Sequence, residues 1–194
     1  DILTGKTDRE EEALLVRANN RTYRSRGIQT RAEYRFNLNE FFFDLEFGLR
    51  YHADEEDRFQ WDDSYSMKNK KMVLFMEGIH GTNANRVTSA NALAGYLLAK
   101  LRYDAWTVTA GLRYEDVDLL KKDYTKEDLA RSGKVRIETP NHARVLIPGV
   151  GLHYQLMPAA SVFFGIHKGF APPSAELYQK PESSVNMELG TRVA

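Results

Sequence analysis

The sequence predicts an all-β chain: an antiparallel transmembrane β-barrel in part, about seven strands of a larger wall. Three observations carry this. Apolar residues recur with period two along several stretches of about ten residues, which is the signature of a strand with two unlike faces. The apolar face of each stretch is complete, whereas the opposite face carries glycine, histidine, glutamine and charged residues. Short connections alternate with long polar ones. Aliphatic and aromatic residues toward lipid, with small or polar ones toward a wet lumen, is the pattern of a membrane-spanning barrel.

The first strand is expected over residues 27–38. Ile28, Thr30, Ala32, Tyr34, Phe36 and Leu38 fall on one face, and Gln29, Arg31, Glu33, Arg35 and Asn37 on the other. Asn39-Glu40 makes a two-residue turn. In the next strand (41–53), Phe41, Phe43, Leu45, Phe47, Leu49 and Tyr51 oppose Phe42, Asp44, Glu46, Gly48, Arg50 and His52. A helix would scatter these phenylalanines around its axis, so period two wins. Strands follow at 91–103 and 106–116 around the turn at Asp104-Ala105. The hairpin of 144–155 and 160–170 comes next: Pro148, Val150, Leu152 and Tyr154, then Val162, Phe164 and Ile166, form its apolar face. The last strand is expected at 184–194.

Long polar connections occupy 53–90, 116–143 and 171–184, and residues 1–26 show no sustained period and read as a loop. Tight turns on one side and long loops on the other fit an outer-membrane barrel, with the long loops extracellular. From Phe41 to Tyr51 the strand would run about 33 Å at ~3.3 Å per residue. Tilted by about 40°, it covers the apolar band of roughly 25 Å. Aromatics stand where interfacial girdles belong: Phe41, Tyr103, Trp106 and Tyr154 near the short turns, Tyr51 and Tyr114 near the long loops.

Composition narrows the function classes. Among 194 residues, 27 are basic and 27 acidic, so the basic excess of a general nucleic-acid binder is missing. With no cysteine, disulfides and thiolate metal sites are excluded. The longest apolar runs fall far short of the roughly 18 residues of a spanning helix. An odd number of strands with an unpaired edge at each end does not close a bacterial barrel, so the chain is expected to be an interior piece.

Few residues point to chemistry. His52, Asp54, Glu55, Glu56 and Asp57 cluster at a strand end, but without zinc-type spacing they read as a solvated loop top rather than a metal site. His153 and His167 fall on the wet faces of adjacent strands, where polar lining is the commoner use than heme capture. No nucleophile and base share a supporting context, so an enzyme is not expected. Residues 13–26 hold Arg17, Arg21, Arg24 and Arg26 with no acid: either a solvated loop or an anion-attracting mouth.

The run Gly169-Phe170-Ala171-Pro172-Pro173-Ser174, followed by Lys180-Pro181-Glu182-Ser183-Ser184-Val185-Asn186-Met187-Glu188-Leu189-Gly190, resembles the barrel of TonB-dependent outer-membrane receptors. Residues 19–31 and 51–61 look most like the ferric-citrate-type branch. The resemblance implies a barrel of about 22 strands plugged by an N-terminal domain. It implies uptake of a ferric chelate (ferric citrate or another siderophore) at the bacterial outer membrane, with TonB as partner through a plug that this sequence does not contain. Outer-membrane lipid is the other expected partner, no cofactor is expected, and iron enters only as cargo. For a polycarboxylate chelate the planar, permanently charged arginine fork is the expected recognition group. The candidates are Arg17, Arg21, Arg24 and Arg26 at the mouth, with Arg31, Arg50 and Arg113 facing the lumen. The rival readings are a passive porin-like or structural barrel and a soluble β-sandwich binding module.

Overall fold

The computed structural model describes residues 1–4, 6–126, 128–133, 135–176 and 179–193, with residues 10–13 as backbone alone. Eight strands form one antiparallel sheet among them: β1 Arg9–Leu38, β2 Phe41–Lys68, β3 Lys71–Met76, β4 Ala84–Tyr103, β5 Trp106–Asp123, β6 Ile137–Met157, β7 Ala160–Ala171 and β8 Glu182–Val193. The order is β1-β2-β4-β5-β6-β7-β8, with β3 paired to β2 alone. No described helix is long and apolar enough to cross a membrane. The fold class is as the alternation predicts: all-β and antiparallel, with sequential strands as neighbours.

The seven expected strands are present, and the turns at 39–40 and 104–105 fall where expected. Asn39 and Asp104 take the left-handed φ values of 54° and 48°, a conformation that asparagine and aspartate tolerate. The difference lies in length. Residues 1–26, expected as a loop, run as strand from Arg9; β2 continues to Lys68 instead of ending at 53. The stretch 53–90 also contains β3, closed by a turn at Asn69 and Lys70 with φ of 50° and 63°. β5 and β6 likewise reach into the expected connection 116–143. At the junctions the hydropathy contrast lapses: residues 54–57 are acidic on both faces of β2, and Leu14, Leu15 and Val16 put apolar residues on both faces of β1, so the pleat persists while the alternation that marks it is interrupted. Ala194, the end of the expected last strand, lies outside the described residues, as do the side chains of Glu10, Glu11 and Glu12.

The chain divides into two units. Unit 2 comprises Ser25–Ala53, Ala90–Leu119 and Pro140–Ala194. The apolar residues on one face of its strands stay open: Ile28 is 75 % exposed, Leu97 52 % and Phe164 41 %. Rings pair along this face near the short turns, Phe41 on Tyr103 at 4.6 Å and Trp106 on Tyr154 at 4.4 Å. The other face is a hydrated charge network. Arg102 donates to Asp44 (2.9 Å), Arg113 to Glu115 (2.6 Å) and Tyr96 to Glu46 (2.6 Å). Among the described residues the largest fully buried side chain is that of Ser66. A soluble sandwich would seal Leu97 and Phe164 in a packed core; their exposure excludes it.

Unit 1 comprises Asp1–Arg24, Asp54–Ser89 and Leu120–Thr139. Its buried groups include Met67 and the polar Gln60, Ser64, Ser66, Asn85 and Thr139.

Candidate functional site

Alternation along β1 and β2 sorts the charged residues of unit 1 onto two faces. On one, Arg17 donates from Nε (2.8 Å) and Nη2 (3.0 Å) to the two oxygens of Asp62. The same face brings Gln60 to Asn19, and the Tyr23 hydroxyl to Glu56 at 3.1 Å. Arg21 lies 3.6 Å and Arg58 2.8 Å from the same Glu56 oxygen. Burial pushes the Glu56 carboxyl up, but hydrogen bonds from Arg58 and Tyr23 and the charges of Arg58 and Arg21 outweigh it, leaving the group below the usual carboxylate range. The hydrogen bond to Arg17, then one from Asn83, holds Asp62 low as well, and the same bond raises Arg17.

On the opposite face, Arg24 pairs with Glu55 at 3.5 Å, its side chain 80 % exposed. The denser feature here is Arg131. Its Nη1 and Nη2 donate to the two Asp57 oxygens, each at 2.6 Å, and its Nε to Asn85 Oδ1 at 2.8 Å. Nη2 also approaches the Arg58 carbonyl at 3.4 Å. The guanidinium lies 5.8 Å from the Phe59 ring centre and 5.4 Å from that of Tyr124, within cation–π range. Nearby, the Trp61 ring stacks on His80 at 3.9 Å.

The seven arginines singled out by sequence do not form one constellation. Arg17, Arg21 and Arg24 lie on a strand rather than a loop, and the pleat turns Arg24 away from the other two. In unit 2, Arg31 pairs with Glu33 at 3.0 Å and Arg113 with Glu115. Arg26 and Arg50 border one recess of about 230 Å³, together with Ser25, Gly27, Gln29 and His52. Arg26 shares its strand face with the exposed Ile28, while Arg50 is on the charged face with Glu46 and Asp44. Ser25 and His52 hydrogen-bond at 2.8 Å beside it.

Sequence reasoning passed over Arg58 and Arg86. Among the described residues, three buried side-chain atoms have no hydrogen-bond partner: Nε of Arg58, Nε of Arg86 and Oγ of Ser64. Asp57 and Asn85 reach one guanidinium on one face, so the alternating pleat sends Arg58 and Arg86 out of the other. β2 and β4 are neighbours in the sheet, so these two arginines leave the same face on adjacent strands. The only sequence signal was the same-face series Glu56, Arg58, Gln60 and Asp62, hidden in a run that reads as plain polar loop.

A second cluster, in unit 2, joins Asp116, Asp118 and His142, whose donor atoms come within 4.8 Å of one another. His142 Nδ1 is 2.6 Å from Asp118, its Nε2 3.4 Å from Asp116, and Arg144 donates to Asp116 at 2.8 Å. Two carboxylates, one imidazole and one guanidinium make one polar network.

Comparison with known proteins fits this architecture. The family described as TonB dependent receptor-like, beta-barrel matches residues 4–194. The ferric citrate transporter FecA, in its unliganded crystal structure, is similar at a TM-score of 0.72 and 18 % identity, over 94 % of this chain and 27 % of that one. The siderophore receptor PiuA from Acinetobacter baumannii is similar at 0.67 and 13 %, over 91 % and 30 %. No curated protein matches. An all-β antiparallel sheet with one open apolar face and one charged face, matched over nearly its whole length, defines the class: the chain belongs to the TonB-dependent receptor-like β-barrel family. It spans 27 % and 30 % of the two solved structures, so it corresponds to part of such a barrel. The family is one of outer-membrane receptors, and the structural neighbours are a transporter and a receptor rather than enzymes.

Proposed function

We propose that this chain is part of the wall of an outer-membrane TonB-dependent receptor that takes up a ferric chelate rich in carboxylates, ferric citrate being the representative ligand. One observation carries the ligand class: two guanidinium Nε groups on one face of unit 1, those of Arg58 and Arg86, are buried without an acceptor. A buried donor with no partner is costly, and a charged ligand that supplies the acceptor recovers about 1.5–3 kcal/mol per bond. Carboxylate oxygens fit, since arginine binds them through a planar fork. Of the candidates from the sequence, Arg21 lies on the same face of unit 1 and keeps this role. Uptake would require a plug domain and energised TonB acting on it, both outside this chain. Family membership and the likeness to a ferric citrate transporter and a siderophore receptor support the reading.

The test is equilibrium binding of ferric citrate to the intact receptor in detergent. Replacing Arg58 and Arg86 together by alanine should weaken binding by about tenfold or more, the loss of at least one charged hydrogen bond. An unchanged dissociation constant would remove both from the ligand site.

A further inference from the structure

We infer that Arg131 is a positioning residue for ligand recognition, acting through the sheet on Arg58 and Arg86; the inference rests on the reading of those two as ligand contacts. Its guanidinium joins Asp57 of β2 to Asn85 of β4, and Arg58 and Arg86 are the residues that immediately follow these two. It also touches the backbone of Arg58 directly, through the carbonyl. Arg58 also keeps its ion pair with Glu56 at 2.8 Å, and a clamp on the far face that joins β2 to β4 at this height fixes Arg58 and Arg86 relative to each other.

The clamp is itself built with care for one geometry. Arg131 has φ of 52°, and unlike Asn39 and Asp104 it is neither asparagine nor aspartate in a two-residue hairpin turn. Such a conformation persists only where its surroundings hold it. They do so here: Asn85 Nδ2 donates to the carbonyls of Thr125 (2.9 Å) and Asp128 (3.0 Å), and Arg131 N donates to Asp128 O at 3.1 Å. Asp128 in turn accepts from the amides of Ser132 (3.0 Å) and Gly133 (2.7 Å). Phe59 and Tyr124 flank the guanidinium, and its side chain is 18 % exposed. The residues around Arg131 are therefore tied to both strands, and the ligand face receives a pair of arginines whose separation is set before any ligand arrives. Preorganisation of this kind lowers the ordering cost of binding.

A double-mutant cycle in the intact, detergent-solubilised receptor tests this, with ferric citrate as the probe. Affinity is measured for the wild type, Arg131→Ala, the Arg58→Ala/Arg86→Ala pair and the triple variant. Arg131→Ala alone should cost about tenfold, as misplaced contact groups do, and should cost nothing further once Arg58 and Arg86 are gone. Arg131→Lys, which reaches one partner but does not bridge both, should not restore the affinity. Equal losses in the two backgrounds would overturn the positioning role while leaving Arg58 and Arg86 as ligand contacts. A pair variant that binds like the wild type would overturn the ligand reading and the inference with it. If Arg131→Ala does not yield folded receptor, Asp57→Asn, which keeps the shape and removes the charge, takes its place in the same cycle with the same outcomes.

Discussion

The ring of Tyr96 packs against Gly48: a Cβ on that glycine would stand 2.4 Å from Tyr96 Cε1, while the Tyr96 hydroxyl donates to Glu46 at 2.6 Å. The same device recurs at the directly paired Phe163 and Gly190, where the added Cβ would stand 2.4 Å from Phe163 Cζ. A bare glycine on one strand thus accepts an aromatic from its neighbour, which covers the exposed backbone and pins the register.

Gly48→Val should therefore displace Tyr96 and break its bond to Glu46, lowering stability by about 1–3 kcal/mol as overpacking does. Urea unfolding of the receptor in lipid vesicles measures it. Combining Gly48→Val with Tyr96→Ala should cost less than the sum of the two single changes; strict additivity would show that the ring and the glycine are not coupled.

Glu56 provides a pH signature. Its folded value lies below the ordinary one, so the stabilisation it gives is fully present above the unfolded pKa of about 4.3 and is lost as pH falls through the folded value. The unfolding midpoints of wild type and Glu56→Gln should differ at neutral pH, and the gap should narrow as pH falls below the unfolded pKa of about 4.3. A gap that does not narrow on acidification would mean that the carboxylate is not held low by Arg58, Tyr23 and Arg21.

Arg24 separates the strand reading from the loop reading. In a flexible arginine-rich mouth it would act with Arg17 and Arg21, yet the pleat puts it with Glu55, largely in solvent. Such exposed pairs are worth about 0–1 kcal/mol. Arg24→Ala should leave ferric citrate affinity within about twofold on that scale, whereas a loss comparable to that of the Arg58 and Arg86 pair would restore the loop reading.

The legible part of this sequence is where one strand face is apolar throughout. Phe41, Phe43, Leu45, Phe47 and Leu49 announce β2 because every second residue has to be apolar. Just past Ala53 the same strand carries Glu55 and Asp57 on one face and Glu56 and Arg58 on the other, so the contrast lapses there and returns only with Phe59, Trp61, Tyr65 and Met67 before the ladder ends at Lys68. The site was harder still. Arg131 reaches Asp57 across 74 positions and Asn85 across 46, and its grip depends on a positive φ that no local residue pattern announces. Which arginines are already neutralised also depends on cross-strand partners, as Asp62 shows for Arg17.

In a barrel wall, one face of these strands touches hydrocarbon and the other touches water. Single cysteines carrying nitroxide labels test this, introduced into a receptor freed of any cysteine outside these 194 residues, which themselves hold none. Labels at positions 97, 98, 163 and 164 of the intact receptor in lipid bilayers would be compared for collision with oxygen and with a water-soluble nickel complex. Oxygen should dominate at Leu97 and Phe164, and nickel access should exceed it at Leu98 and Phe163. Equal accessibility on the two faces, or the reverse order, would contradict a barrel wall built from this sheet.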